Sequence, residues 1–258
     1  MDTEQLLRLY DHDQRIEGQF PNLHREVLPN VIRNIPLTAG EDGFIAYSSL
    51  TTENADETIR RQIDHFTSLG LSFEWKLYGH DTPADLKDRL ARHGFEIGEE
   101  EAIMALEVEH APVDLRAPVP ASIQKVTDPS QIATVIALED QVWGYEHRDL
   151  HAFLEKMMHV HPEQISIYLA YADDKPAAAG WTYLLPGSRF ASLWGGSTLP
   201  EYRRRGLYTG LLAVRLQEAQ KRGYEFLTVD ASPMSRPILE KLGFKFLTLS
   251  YACEYKVK

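Results

Sequence analysis

The stretch of this chain best equipped for chemistry is Leu199-Pro200-Glu201-Tyr202-Arg203-Arg204-Arg205-Gly206-Leu207-Tyr208-Thr209-Gly210-Leu211. It joins a strand-like run to a helical pattern. A helix start presents unpaired backbone N–H groups and the positive end of the helix dipole, so it attracts anions. Gly206 lets a phosphate come close to the backbone, and three consecutive arginines add guanidinium donors at the same place. Cations crowded at the positive end of a dipole are unfavourable unless an anion joins them, and a pyrophosphate meets that need. The Gly-Lys-Ser/Thr ending of a Walker-type loop is absent, as is the three-glycine spacing of a dinucleotide fingerprint.

The elements around this loop read as mixed α/β. In the second half, strands are expected near Ile123–Val126, Ile165–Tyr171, Ala177–Leu185, Phe190–Thr198, Phe226–Val229 and Phe244–Tyr255. Helices are expected after Asp128-Pro129, over Asp149–His159, from Gly206 to Arg222, and over Arg236–Leu242. In the first half, a helix carries Ile59, Ile63 and Phe66 and ends near Gly70. The strand Ser72–Tyr78, a short helix with Leu86 and Leu90, and the strand Ala102–Val108 follow. The three prolines within 110–121 carry no helix or strand period, so the chain is expected to divide near residue 115 into 1–115 and 116–258. A shared pattern links the halves: Asp81 precedes Gly94-Phe95 by the same spacing as Asp230 precedes Gly243-Phe244, each across a short helix. Two related folds in tandem are the natural explanation.

Composition narrows the functional classes. Apolar residues make up 43% and charged residues 25%, the proportions of a globular chain. The net charge is −11, and the acids concentrate before residue 122, which argues against general nucleic-acid binding. No apolar run is long enough to span a bilayer, and the N-terminal residues do not resemble a leader, so no membrane partner and a cytoplasmic location are expected. The single cysteine, Cys253, is expected to pack as a small apolar residue. His147, His151, His159 and His161 fit no metal-ligand spacing, and no metal is expected.

The Arg203-x-x-Gly206-x-Tyr208 segment resembles motif A of the GNAT (GCN5-related) N-acetyltransferases, whose pattern is Gln/Arg-x-x-Gly-x-Gly/Ala. Tyr208 replaces the small residue. The flanking Pro200-Glu201-Tyr202, the later Glu240-Lys241-Leu242-Gly243-Phe244 and the element order after residue 122 are also similar to that family. The resemblance covers the second half, and the first half looks like a degenerate copy. It implies two tandem GNAT-like domains of α/β (α+β) class, each a mixed, mostly antiparallel twisted sheet flanked by helices.

The resemblance further implies acetyl-CoA as co-substrate, lying between the strands near Phe190–Thr198 and Phe226–Val229. Main-chain groups of Gly196, Ser197 and Thr198 are then expected to hold the pantetheine arm. Arg203, Arg204, Arg205, Gly206, Leu207, Tyr208 and Thr209 are expected around the pyrophosphate. Gly195-Gly196 suits a bulge that splays the two strands. Ser232, Ser235 and Leu239 stand where the family often carries Asn, Ala and Tyr; Ser232 and Ser235 are assigned to the cofactor, and Leu239 has no proton to give a departing thiolate. The first half has Ser49–Glu57 at the corresponding junction, without glycine and with three acids, so one CoA site is expected.

Acyl transfer to an amine needs a base, a hydrogen bond to the carbonyl oxygen and close positioning of two substrates. Asp230 and Glu139 are the candidate bases, with Asp140 beside Glu139 on a helix that walls the acceptor site in this family. Trp143, Tyr145, Trp181 and Trp194 are the candidate acceptor-lining residues and suit an apolar or cationic acceptor. The expected function is N-acetylation of a primary amine on a small molecule or peptide by a monomer or homodimer. The alternatives are a longer acyl donor or an oxygen acceptor, a CoA-binding sensor or partner-binding module without turnover, and a purely structural two-domain protein.

Overall fold

The computed structural model describes residues 1–38 and 40–257. Helix α1 (Thr3–Tyr10), capped by the Asp2 carboxylate accepting from the Gln5 N–H, runs on into a π-helical turn, Asp11–Ile16. Strands β1 (Leu23–Val27), β2 (Val31–Pro36) and β3 (Gly43–Ser48) lead to α2 (Ala55–Ser68), β4 (Phe73–Tyr78), α3 (Leu86–Arg92) and β5 (Glu96–Glu107). Then come α4 (Val113–Arg116), β6 (Ile123–Lys125), α5 (Ile132–Trp143) and α6 (Arg148–Val160). Strands β7 (Ile165–Ala172), β8 (Lys175–Tyr183) and β9 (Phe190–Thr198) precede α7 (Leu207–Lys221), β10 (Phe226–Ala231), α8 (Arg236–Lys241) and β11 (Lys245–Tyr255).

The chain forms two compact units. Unit 1 comprises Met1–Met104, Asp230–Pro237 and Phe246–Lys258; unit 2 comprises Ala105–Val229 and Ile238–Lys245.

In unit 1 the strands run in the order β1-β2-β3-β4-β11. Only β3–β4 is parallel among these pairs, with Gly43 opposite Phe73 and Ile45 opposite Trp75. Strand β11 lies antiparallel to β4, Ser250 opposite Tyr78 and Tyr255 opposite Phe73. Ile59 and Phe66, two turns apart on α2, bury on this sheet, and the Phe66 and Phe73 rings stack 4.2 Å apart. Cys253 is buried in the same core, where burial pushes its thiol up to about 12. It packs as an inert apolar residue.

In unit 2, β6, β7, β8 and β9 pair antiparallel in sequence order, and β10 joins β9 in parallel. The β7–β8 hairpin turns through Asp173 and Asp174, both left-handed at φ 51° and 60°, as a two-residue primed turn requires. One apolar cluster joins α5 and α6 to Ile165, Ile167, Leu169, Ala179 and Trp181. A second places Leu211 of α7 on Ile123, Tyr168, Ala170 and Ala178. Asp128 starts the α5 region with a capping box over the 3-10 turn Pro129–Gln131.

The stretch 110–121 differs from its expected lack of periodic structure. It contains α4, whose Leu115 is fully buried, and the Gln217 side-chain amide donates to the Leu115 and Ala117 carbonyls at 3.3 and 2.8 Å. Pro112 sets the extended backbone that leads into this short helix, and one buried leucine suffices to anchor it. Among the described residues no helix is long and apolar enough to cross a membrane.

Candidate functional site

Strands β9 and β10 pair from Phe190–Phe226 to Leu193–Val229, while β9 continues to Thr198 along β8. The β8–β9 register slips between Ala179 and Gly180, so that Gly180 faces Gly195, Ala179 faces Ser197, and Gly196 has no partner in the register. Gly195 and Gly196 are both left-handed, at φ 66° and 88°. A Cβ on Gly195 would stand 2.4 Å from the Trp181 ring, so side chains are excluded by space as well as by backbone. The bulge expected from this glycine pair is present.

The loop after β9 makes a 3-10 turn, Pro200–Tyr202, and α7 then begins at Gly206, left-handed at φ 80°. No side chain caps this start, and nothing lies within 4 Å of a Cβ built on Gly206. A helix start without a side-chain cap leaves the N–H groups of its first turn without side-chain partners from the cap position. The three arginines do not act as one cluster. Arg205 is held by both Asp173 oxygens at 2.9 Å each and covers the Tyr202 ring. Arg203 turns its Nε to the Thr198 carbonyl at 3.2 Å, and Arg204 is exposed with φ 61°. The half-buried Tyr208 ring stands against Gly196: a Cβ there would lie 3.0 Å from it. Burial pushes its phenol up.

Glu139 of α5 is 3% exposed. Its Oε2 accepts from Ser197 Oγ at 2.8 Å and from Trp143 Nε1 at 3.0 Å, whereas its buried Oε1 has no partner among the described residues. Burial pushes this carboxyl up, and the Ser197 and Trp143 hydrogen bonds only partly offset that. Its neighbour Asp140 is occupied by His147, whose side-chain and backbone hydrogen bonds hold it low. Thr198 Oγ1 is also buried without a partner among the described residues.

The expected acceptor-lining aromatics differ in exposure. Trp143, Tyr145 and Trp194 are exposed at 56, 60 and 47%, with Tyr145 beside His147 and Trp194 beside Tyr183. Trp181 is buried in the α5–α6 core and donates its Nε1 to Tyr183 Oη at 3.1 Å. Asp230, Ser232 and Ser235 fall in unit 1. There Asp230 is paired with Lys76 at 2.7 Å, and Lys76 also reaches Glu101 at 3.1 Å. Ser232 Oγ accepts from the Ser235 N–H at 3.3 Å, so it shapes the turn before α8. Leu239 is fully buried in unit 2.

Arg215 of α7 is absent from the sequence-level candidates, although it is 2% exposed. It falls two turns after Leu207 and one after Leu211, on the face that packs, a spacing that becomes a signal once the burial of that face is known. Its Nε donates to the Leu211 carbonyl at 2.9 Å, and its Nη1 to the carbonyls of Trp181 and Trp194 at 3.3 and 3.1 Å. Burial pushes it down to about 10.

Unit 1 repeats the parallel strand pair but fills the space beyond it. Past Ile45–Trp75, Arg15 from the π-helical turn donates to the Ala46 carbonyl at 3.2 Å and covers the Tyr78 and Tyr47 rings at 3.8 and 5.1 Å. It pairs with Asp81 at 2.6 Å and with Asp11 at 2.8 Å.

Residues 132–244 match the family described as the Acetyltransferase (GNAT) family. This segment is a GNAT domain. It holds the glycine bulge, the open helix start and Glu139, and its family is one of acyltransferases. The fold likeness extends over nearly the whole chain. A GCN5-related N-acetyltransferase from Kribbella flavida is 14% identical with a TM-score of 0.69, over 98% of this chain and 95% of that one. A conserved protein of unknown function from Staphylococcus epidermidis is 12% identical with a TM-score of 0.67, over 98 and 100%. A tandem GNAT protein from the clavulanic acid biosynthesis pathway is 14% identical with a TM-score of 0.58, over 99 and 88%. At these identities the likeness is one of fold. No curated protein matches the chain.

Proposed function

We propose that the GNAT domain transfers an acetyl group from acetyl-CoA to a primary amine by direct attack. The observation that carries this reading is the open, uncapped start of α7 at Gly206, reached directly from a bulged β9 that has parted from β10. A side chain at Gly206 would fill the place a pyrophosphate needs, and the chain leaves it empty. The main chain of Arg204, Arg205, Gly206, Leu207, Tyr208 and Thr209 would hold the pyrophosphate, with Arg203 and Arg204 nearby. The main chain of Gly196, Ser197 and Thr198 would hold the pantetheine arm and donate to the carbonyl oxygen. Acetyl-CoA supplies an acyl thioester already activated for attack.

Glu139 is the favoured base. It is buried, its Oε2 is steered by Ser197 and Trp143, and its Oε1 is uncommitted. Asp230, by contrast, is engaged in an ion pair with Lys76 at 2.7 Å. The exposed Trp143, Tyr145 and Trp194 offer an apolar wall for the acceptor. The halves 1–115 and 116–258 read as tandem copies of one fold, and the Arg15 side chain beyond β3–β4 supports a single cofactor site in the second.

Calorimetric titration with acetyl-CoA tests the reading. Wild type is expected to bind with a micromolar Kd, about −8.2 kcal/mol, and Gly206→Glu to show no heat of binding. Silence from both proteins sinks the cofactor assignment. Leu239, buried and without a proton, favours a second reading, CoA binding without turnover. Release of free CoA thiol with any member of an amine panel removes it.

A further inference from the structure

Arg215 presents a physical problem. Its guanidinium is buried in unit 2, and each of its three described hydrogen bonds goes to a main-chain carbonyl. Burying a cation without a carboxylate is expensive, and an apolar side chain of similar size usually serves the core as well or better. The arrangement makes sense through what those carbonyls belong to. Trp181 and Trp194 face each other across β8 and β9, one residue pair from the slip in register. One nitrogen, Nη1, bonds both carbonyls and so ties the two strands at the edge of the bulge. Nε is tied to α7 through Leu211, one turn back on the same helix. The site is built around this fork: Cβ atoms placed on Gly180 and Gly196 would stand 3.0 Å from Nη1 and 3.9 Å from Nη2.

We infer that Arg215 is a positioning residue for acyl transfer: it fixes the Gly195-Gly196 bulge of β9 against α7, and so sets the bulged main chain relative to the helix start. The inference rests on the functional reading above, because those two backbone segments are the ones assigned to the thioester arm and to the pyrophosphate. Arg203 bonds β9 further along, at the Thr198 carbonyl, and Tyr208 lies against Gly196 by its ring; Arg215 is the side chain that bonds the main chain of β8 and β9 beside the bulge. Arg215 touches no reacting atom in this scheme; it acts through the β9 main chain.

The test is a comparison of wild type, Arg215→Met and Arg215→Lys. Methionine keeps the length and apolar bulk without the fork, and lysine keeps the charge with a single donor centre. Three quantities are measured: thermal melting, steady-state kinetics with acetyl-CoA and the best amine of a panel, and amide hydrogen exchange of residues 194–198. Arg215→Met is expected to melt within a few degrees of wild type. Its kcat should fall by about 30-fold or more with the KM for acetyl-CoA within about threefold, and its Gly196 and Ser197 amides should exchange at least tenfold faster. Arg215→Lys should lie between the two on both scales. A core role alone would lower melting and leave the ratio of kcat to KM effects flat. Unchanged exchange at Gly196 and Ser197 in a folded Arg215→Met overturns the inference whatever the kinetics show. Should Arg215→Met fail to fold, the same exchange measurement on Arg215→Lys decides. If wild type binds no acetyl-CoA, the functional reading itself falls and this inference with it, an outcome the binding titration identifies separately.

Discussion

Glu139 shows how burial and function pull on one group. Its carboxyl is raised by burial, so the folded chain holds the proton more readily than the unfolded chain does. The stability this contributes is fully present below the unfolded value and is lost as pH rises through the folded one. At neutral pH the ionised carboxylate therefore weighs against the fold. Glu139→Gln is expected to be as stable as wild type or more so, while kcat falls by about 10²–10⁴ if the carboxylate is the base. The acidic limb of the wild-type pH–rate profile should lie above the ordinary carboxylate range and vanish in the variant. A limb that persists in Glu139→Gln assigns the base elsewhere. Glu139 was legible in the sequence because an acid on the first helix of a recognisable domain is conspicuous. Arg215 was not, because an arginine inside a helical pattern reads as solvated until the burial of its face is known. The meaning of the three arginines was legible only in part: their charge is written in the sequence, but the pairing of Arg205 with Asp173 depends on a hairpin far along the chain.

At the scale of elements, the site is a strand, a bulge and a helix start in succession. The strand Phe190–Thr198 and the helix from Leu207 follow the expected bounds closely, since β-branched, aromatic and glycine residues punctuate this region clearly. The first fifty residues were far less readable. Strand β2 buries Val31, Ile32 and Asn34, so the period-2 alternation that marks a half-exposed strand is blurred. The π-helical turn Asp11–Ile16 carries mainly polar residues, and three of them, Asp13, Gln14 and Arg15, are buried, so no apolar period marks it. The bulge itself makes a sharp prediction. Gly195→Ala must push a methyl into the Trp181 ring at a left-handed position and is expected to destabilise the fold by about 1–3 kcal/mol. A lowered denaturant midpoint with an unchanged m-value is the result that checks it.

At the scale of the whole molecule, the two compact units do not take successive halves of the chain. Unit 1 is completed by Asp230–Pro237 and Phe246–Lys258. Strand β11 covers the full length of β4 and brings Cys253 and Tyr255 to the core around Phe73 and Trp75. Residues 1–115 made alone would leave β4 with one neighbour and that core uncovered. They are expected to show no cooperative unfolding by circular dichroism, and addition of a peptide spanning 245–257 should restore a transition; a cooperative melt of the fragment by itself would contradict this. The halves that look like repeats in sequence are thus distinct from the units that close physically, because a repeat is a pattern of residues whereas closure depends on which edge a late strand reaches. That closure also has a timetable. A ribosome adding roughly 5–20 residues each second releases the N-terminal residues on the order of ten seconds before the last strand emerges. Through that interval the edge of β4 waits unpaired on the nascent chain, the moment at which a chaperone is needed most.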